Sequence, residues 1–329
     1  MFIFFSAIDI SRDGKMNHWE MENAVALAVA LKEADFQVSQ ICCSRPSCFD
    51  FAARKGAKTV LVKITSDVDT YPAQSARELK MIANRVSAAS LIISQQAHGK
   101  PLEDDTVYSR NAIFVITEKT IKNLTLQTAN PLIYAGPGGY TVEVDGALIE
   151  TRRKELGLSV GKLAVMIGVS RRTLYGYERG MTKASVTSAY KLAKTLGVPV
   201  AKPINVLERT RKQRQCLLIK TKHAIAGKML LQKIFRKFAF CDISPVHKAP
   251  FDFVMNVPND KYVIMGSVAV NGEMNLDNRI EELLSICRVV CAYPVLITEN
   301  RTYPSKDVSC ICIDELSEMR KPEDLIAVA

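Results

Sequence analysis

From residue 17 to residue 35 apolar positions recur at helical spacing, with Met21, Ala24, Val25, Ala28, Val29 and Leu31 broadly on one side. The period then shortens to two. Residues 36–41 read as a strand, and residues 49–53 and 59–64 as two more around a turn at Lys55-Gly56. A helix over 75–87 and a buried strand over 90–94 follow. A polar loop then carries Gly99, Pro101 and Asp104-Asp105. A strand over 113–116 and a short helix through Leu124 complete a small α/β domain.

The last third of the chain repeats this order. Phe49-Asp50-Phe51 returns as Phe251-Asp252-Phe253, introduced by Arg45-Pro46 in one case and Lys248-Ala249-Pro250 in the other. Residues 59–63 match 261–265, residues 90–94 match 294–298, and Leu79, Ile82 and Val86 match Leu283, Ile286 and Val290. Phe36 matches Phe238, which a helix over 225–237 precedes. The offset is 202 up to residue 63 and 204 from Leu79 on, with a slightly longer turn expected at 257–260. A repeat of some hundred residues predicts duplicated domains, not solenoid units.

Between the copies the helical period returns, now in four short pieces over 148–197. Gly157-Leu158-Ser159 ends the first helix and caps the second, because the Ser159 hydroxyl can accept from an orphan amide of the next turn. Leu163, Ala164 and Ile167 share one face of the second. Gly168 falls where a chain turning between crossed helices needs a positive φ. Val169 packs back, and Ser170 caps a third helix over 171–179 with Leu174 and Tyr177 inward and Gly180 as its stop. The fourth helix turns Val186, Ala189, Leu192, Ala193 and Leu196 inward, and Gly197 closes it. Upstream, residues 130–146 read as a linker with a short hairpin at Val142-Glu143-Val144, ending at Asp145-Gly146. Its glycines do not make a phosphate loop, since no Gly-Lys-Ser/Thr and no helix follow them directly.

Charge singles out the same central segment. The whole chain has 44 Lys plus Arg against 34 Asp plus Glu, a net of +10. Residues 148–212 alone hold 14 and 4, so the remainder balances. A neutral scaffold with one basic module points to phosphate contacts on one surface, whereas a uniformly basic protein would suggest loose anion binding. No apolar run reaches a membrane span. The opening stretch lacks the basic n-region of a secretory signal, and residues 1–15 read as an extension before a start at Met16. Nine cysteines without repeated spacing, and four scattered histidines, predict buried thiols in a reducing cytoplasm and no structural metal or cofactor.

The combination Leu163-Ala164, Gly168-Val169-Ser170, Thr173 and Tyr177-Glu178-Arg179-Gly180 resembles the helix-turn-helix of the Cro/C1 (XRE) repressor family. That resemblance implies that the third helix enters the DNA major groove. It nominates Ser159, Ser170, Arg171, Arg172, Thr173, Tyr175, Arg179 and Lys183 as DNA-binding residues. The exposed face of the third helix is expected to present Ser170, Arg171, Arg172, Tyr175, Gly176 and Arg179, with Gly176 simply tolerated. Glutamines, common one residue into helices two and three of the family, are replaced by Val160 and Arg171.

The flanking domains resemble the restriction-endonuclease-like fold, in which a helix Glu, a strand Asp and a Glu-x-Lys hold Mg²⁺. Glu22, Asp50 and Lys63 match, but Leu61 stands where the second carboxylate belongs, and the other copy keeps only Asp252. One carboxylate holds Mg²⁺ poorly against its hydration shell. The expected fold is therefore α+β multidomain: an all-α Cro/C1-type domain (147–209) between two duplicated, inactive nuclease-like α/β domains (16–127 and 216–329), with a linker over 128–146. As a whole the chain is similar to the archaeal HTH-type transcriptional regulators. That similarity implies a cytoplasmic DNA-binding regulator. Paired half-sites add a homodimer on double-stranded DNA, and the missing carboxylate argues against an enzyme. The leading expectation is a sequence-specific regulator without a membrane partner. The alternatives are a DNA nuclease targeted by the helix-turn-helix, or a non-catalytic DNA scaffold or antitoxin-like module.

Overall fold

The computed structural model describes residues 16–126, 130–208, 229–257, 262–269, 273, 275–298, 308–319 and 321–326. The expected extension over 1–15, the start of the helix at 225, the turn at 258–260 and the connection after 208 lie outside the described residues. The chain divides into two compact units, one of residues up to 93, 111–113 and from 207, the other of residues 94–110 and 114–206. No helix among the described residues is long and apolar enough to cross a membrane.

The first unit opens with α1 (His18–Glu33), started by a capping box in which the Glu20 amide donates to Asn17 Oδ1 at 2.8 Å. Ala24, Leu27, Ala28 and Leu31 form its buried stripe. Val25 and Val29 stay 47% and 50% exposed, contrary to expectation, because they stand about 100° around the helix from that stripe. Three strands follow: β1 (Gln37–Val38), β2 (Phe51–Lys55) and β3 (Lys58–Asp67), paired antiparallel with Phe51 opposite Val62. α2 (Ala73–Arg85) then crosses to β4 (Ala89–Ala97), which lies beside β3. The first strand is shorter than its alternation predicts.

The second unit holds β5 (Lys100–Pro101), β6 (Thr106–Arg110), β7 (Ile113–Ile116) from residue 114 on, and α3 (Glu118–Leu126). β5 and β6 fall where a polar loop is expected. Next come β8 (Ile133–Gly136) and β9 (Gly139–Val142), a hairpin placed earlier than the predicted one. The helices are α4 (Gly146–Glu155), α5 (Val160–Ile167), α6 (Arg171–Glu178) and α7 (Val186–Leu196). A two-residue strand, β10 (Ala184–Ser185), pairs with β9 just before α7. Val142 and Val144 share one core with Leu163, Ala164, Ile167, Leu174 and Leu192, so the hairpin is built into the helical module.

The chain returns to the first unit with α8 (Met229–Lys237), β11 (Asp242–Pro245), β12 (Phe253–Asn256) and β13 (Val263–Val268). α9 (Leu276–Val290), β14 (Tyr293–Thr298), β15 (Ser309–Cys312) and α10 (Ile313–Glu318) complete it. β11, β12 and β13 are antiparallel, and β13, β14 and β15 parallel. A parallel neighbour needs a crossover, which α9 supplies. Gly266 is required on β13, since a Cβ there would sit 2.0 Å from the Phe253 ring.

Two buried carboxylates tie the early and late parts of this unit. Glu282 on α9 accepts from the Cys43 and Ser44 amides, each at 2.8 Å, and from Ser44 Oγ at 2.6 Å. Glu78 on α2 accepts from the His247 and Lys248 amides, the latter at 2.9 Å. The Phe49 and Phe251 rings also join the two parts, their centres 6.4 Å apart. Hydrogen bonds to a buried charge contribute roughly 1.5–3 kcal/mol each. Glu78→Ala and Glu282→Ala should therefore each lower stability by at least about 2 kcal/mol. Chemical denaturation of both variants checks this, and a loss confined to one of them would show that the two ties are not equivalent.

Candidate nucleic-acid interface

The geometry of α5 and α6 follows from a few local choices. Ser159 caps α5 by accepting from the Lys162 amide at 3.1 Å, and Ser170 caps α6 by accepting from the Thr173 amide at 3.0 Å. Gly168 closes α5 at φ 77°, ψ 38°, a region that costs residues with a Cβ about 1 kcal/mol or more. Leu163, Ala164, Ile167, Leu174 and Tyr177 are buried as expected. Val186 departs from expectation, since it is exposed at the first turn of α7 while Ala189, Leu192 and Leu196 carry the packing.

Of the eight nominated residues, Arg171, Arg172, Tyr175 and Arg179 form the exposed face of α6. Arg179 lies over the Tyr175 ring at 5.5 Å. Ser170 and Thr173 are drawn together, their hydroxyls 2.8 Å apart. Ser159 is exposed at the start of α5. Lys183, in the loop after α6, turns to the hairpin, its Nζ 3.0 Å from the centre of the Tyr134 ring. Gly176 is not on the exposed face. It is buried, and a Cβ there would come 2.9 Å from Thr182 Oγ1, so the glycine serves the turn out of α6.

Three features of the site have no clear sequence signal. Arg171 folds back over the start of α5, and a Cβ on Gly161 would sit 2.7 Å from its Nε. Arg153 of α4 makes a bidentate ion pair with Glu178 at the end of α6, at 2.6 and 3.1 Å, and donates to the Leu158 carbonyl at 3.0 Å. That hydrogen bond to Glu178 is the main cause of a raised Arg153 pKa. Gly146 presses against the Tyr177 and Glu178 carbonyls, where a Cβ would come within 2.5 Å. A buried arginine in a run of three basic residues looks like solvated charge in the sequence, which is why it escapes notice there.

The nuclease-like position in the first unit is occupied by its own side chains. Asp50 is buried; its Oδ1 accepts from Lys63 Nζ at 2.7 Å and its Oδ2 from the Ile64 amide at 2.6 Å. Burial raises the Asp50 pKa, against the lowering effect of the Lys63 ammonium. Burial pulls Lys63 down, but Asp50 more than compensates and its pKa is raised. Leu61 is fully buried. Glu22 is exposed; the carboxylate of α1 that acts on Asp50 is Glu20. Asp252 is buried likewise, paired with Arg279 and with Arg45 at 3.1 Å, and Glu273 joins both arginines.

Residues 149–202 match the family model described as helix-turn-helix, and residues 21–131 the model of a PD-(D/E)XK superfamily domain. A relative from Methanocaldococcus jannaschii is 30% identical over 287 residues, 85% of this chain and 87% of that protein. One from Haloarcula marismortui is 30% identical over 309 residues, 93% of each. A third, from Methanocella arvoryzae, is 35% identical over 195 residues, 58% of this chain and 59% of that protein. Each carries the name "Putative HTH-type transcriptional regulatory protein". The divalent metal that the PD-(D/E)XK superfamily implies does not fit the residues here. Asp50 is engaged through both oxygens, and Leu61 offers no ligand.

Breaking a buried pair by removing one partner leaves a charge without compensation. Arg153→Met should therefore destabilise the helical module by about 3–5 kcal/mol. A thermal or chemical melt of the variant measures this, and an unchanged melt would remove the ion pair from the account of how α6 is held.

Proposed function

The chain belongs to the family of archaeal HTH-type transcriptional regulatory proteins, and we propose that it is a sequence-specific DNA-binding regulator that reads duplex DNA through α6. The observation that carries this reading is the exposed face of α6. Arg171 and Arg172 stand at its N-terminal turn, the end by which a recognition helix meets base edges, and Tyr175 and Arg179 follow. Arginine suits the O6 and N7 acceptors of guanine, and we assign the base contact to Arg171. Ser159, Ser170, Thr173 and Lys183 are assigned to the phosphates, where they set register without reading sequence. Paired half-sites call for a homodimer, acting in the cytoplasm.

We further propose that residues 16–127 and 216–329 are duplicated nuclease-like domains that no longer cleave, with 128–146 joining the first to a DNA-binding domain over 147–209. Support comes from the two carboxylate ties. Glu78 and Glu282 differ by the same 204 residues that relate the flanking sequence repeats, and each accepts from two successive amides of the other part. The bonds to Asp50 and Asp252 also match, since each carboxylate accepts an amide of the neighbouring strand, Ile64 or Val268. Lys63 serves the first aspartate and Arg279 the second.

Two measurements test the reading. Genome-wide footprinting should first yield the preferred duplex. Arg171→Ala should then lose roughly 1–3 kcal/mol on that duplex and relax preference at one position. Uniform weakening on all duplexes, with the salt slope reduced by roughly one, would move Arg171 to the phosphates and sink its base-reading role. Incubation with plasmid and Mg²⁺ or Mn²⁺ should leave the plasmid intact. Cleavage that disappears in Asp50→Ala would establish a nuclease instead.

A further inference from the structure

We propose that the β8–β9 hairpin is a wing that contacts the DNA backbone beside the duplex face read by α6; this rests on the DNA-binding reading above. Its attachment is the first argument. β9 pairs antiparallel with β10, Thr141 opposite Ser185 and Val142 opposite Ala184, so the hairpin tip runs out past the start of α7. At its base, the Asp145 amide donates to the Val200 carbonyl, and Gly146 packs on the last carbonyls of α6. The hairpin is thus fixed to the C-terminal end of the same helix whose exposed face is basic.

Charge and rings connect the two surfaces. Arg179 covers Tyr175 on α6, and four residues later Lys183 covers Tyr134 on β8. The segment between α6 and β10 therefore brings one further cation, Lys183, against the side of the hairpin.

The tip itself has the form that a close backbone approach requires. Residues 136–140 are all exposed. Gly136, Gly138 and Gly139 have nothing within 4 Å of where a Cβ would stand. Pro137 is the one ring at the tip and has no N–H. The glycines around it let a peptide group such as that of Gly138 approach a phosphate that a larger residue would hold off. Tyr140 stands beside it, 45% exposed, its hydroxyl hydrogen-bonded to Glu103, which pushes its pKa up. Glu103 is an acidic neighbour of the tip, and its own amide donates to Tyr108 Oη at 3.0 Å. The surface thus offers glycine peptide N–H groups and Lys183, which is the chemistry of sequence-independent backbone contact.

The test uses the full chain and substitutions at Gly138, an exposed position whose φ is not in the left-handed region. Gly138→Arg should bind duplex DNA several-fold more tightly and raise the salt slope by roughly one. Gly138→Glu should bind on the order of tenfold more weakly, equally on preferred and scrambled duplexes. Phosphate-ethylation interference should lose one or more positions flanking the α6 site in Gly138→Glu. Circular dichroism and melting of both variants should match the wild type, which separates a lost contact from a lost fold. Variants that bind and footprint like the wild type would overturn the wing while leaving the α6 reading intact. A wild-type protein that protects no duplex would overturn that reading, and the wing with it.

Discussion

The bidentate pair between Arg153 and Glu178 sets where the end of α6 can lie, and the rest of the central module is arranged around that setting. Both side chains are nearly out of water, so the pair is favourable only with good geometry and further hydrogen bonds. The Leu158 carbonyl supplies one of these to Arg153. Gly146 allows α4 to approach α6 closely enough for the pair to form. At the other end of α6, Ser170 fixes the first turn by accepting from the Thr173 amide. A helix held at both ends keeps its exposed arginines in one register.

The flanking unit uses buried charge differently. Asp50 and Asp252 are each neutralised by a lysine or arginine and a strand amide. Glu78 and Glu282 extend this use of carboxylates, accepting backbone amides that would otherwise be left without partners.

Much of this was legible in the sequence wherever periodicity and punctuation agree. The four helices of the central module, the Ser159 and Ser170 caps and the left-handed Gly168 all follow from residue type and spacing. The strand with Phe51, the one with Leu61 and the helices after them were likewise readable. What escaped depends on partners far away in the chain. β5 and β6 are short and polar, and pairing defines them, not composition. Val25 and Val29 look like core residues until the buried stripe of α1 is known. Arg153 and Gly146 gain meaning only from the α6 carbonyls and carboxylate they meet, and Gly176 only from Thr182.

The two carboxylate ties also bear on the order in which the chain can fold as it is synthesised. Residues 43–44 meet residue 282, and residue 78 meets residues 247 and 248, so closing the first unit waits for most of the polypeptide. The central module has no such delay, because its core lies within residues 142–200. Local contacts form sooner than distant ones, and domains fold as units during translation. On the ribosome, the basic helical module is therefore complete while Phe49 and its surroundings still lack the Phe251 side of their core. The nascent chain passes through a stage at which its nucleic-acid-facing part is native and its scaffold is not, and that stage is the one most open to aggregation.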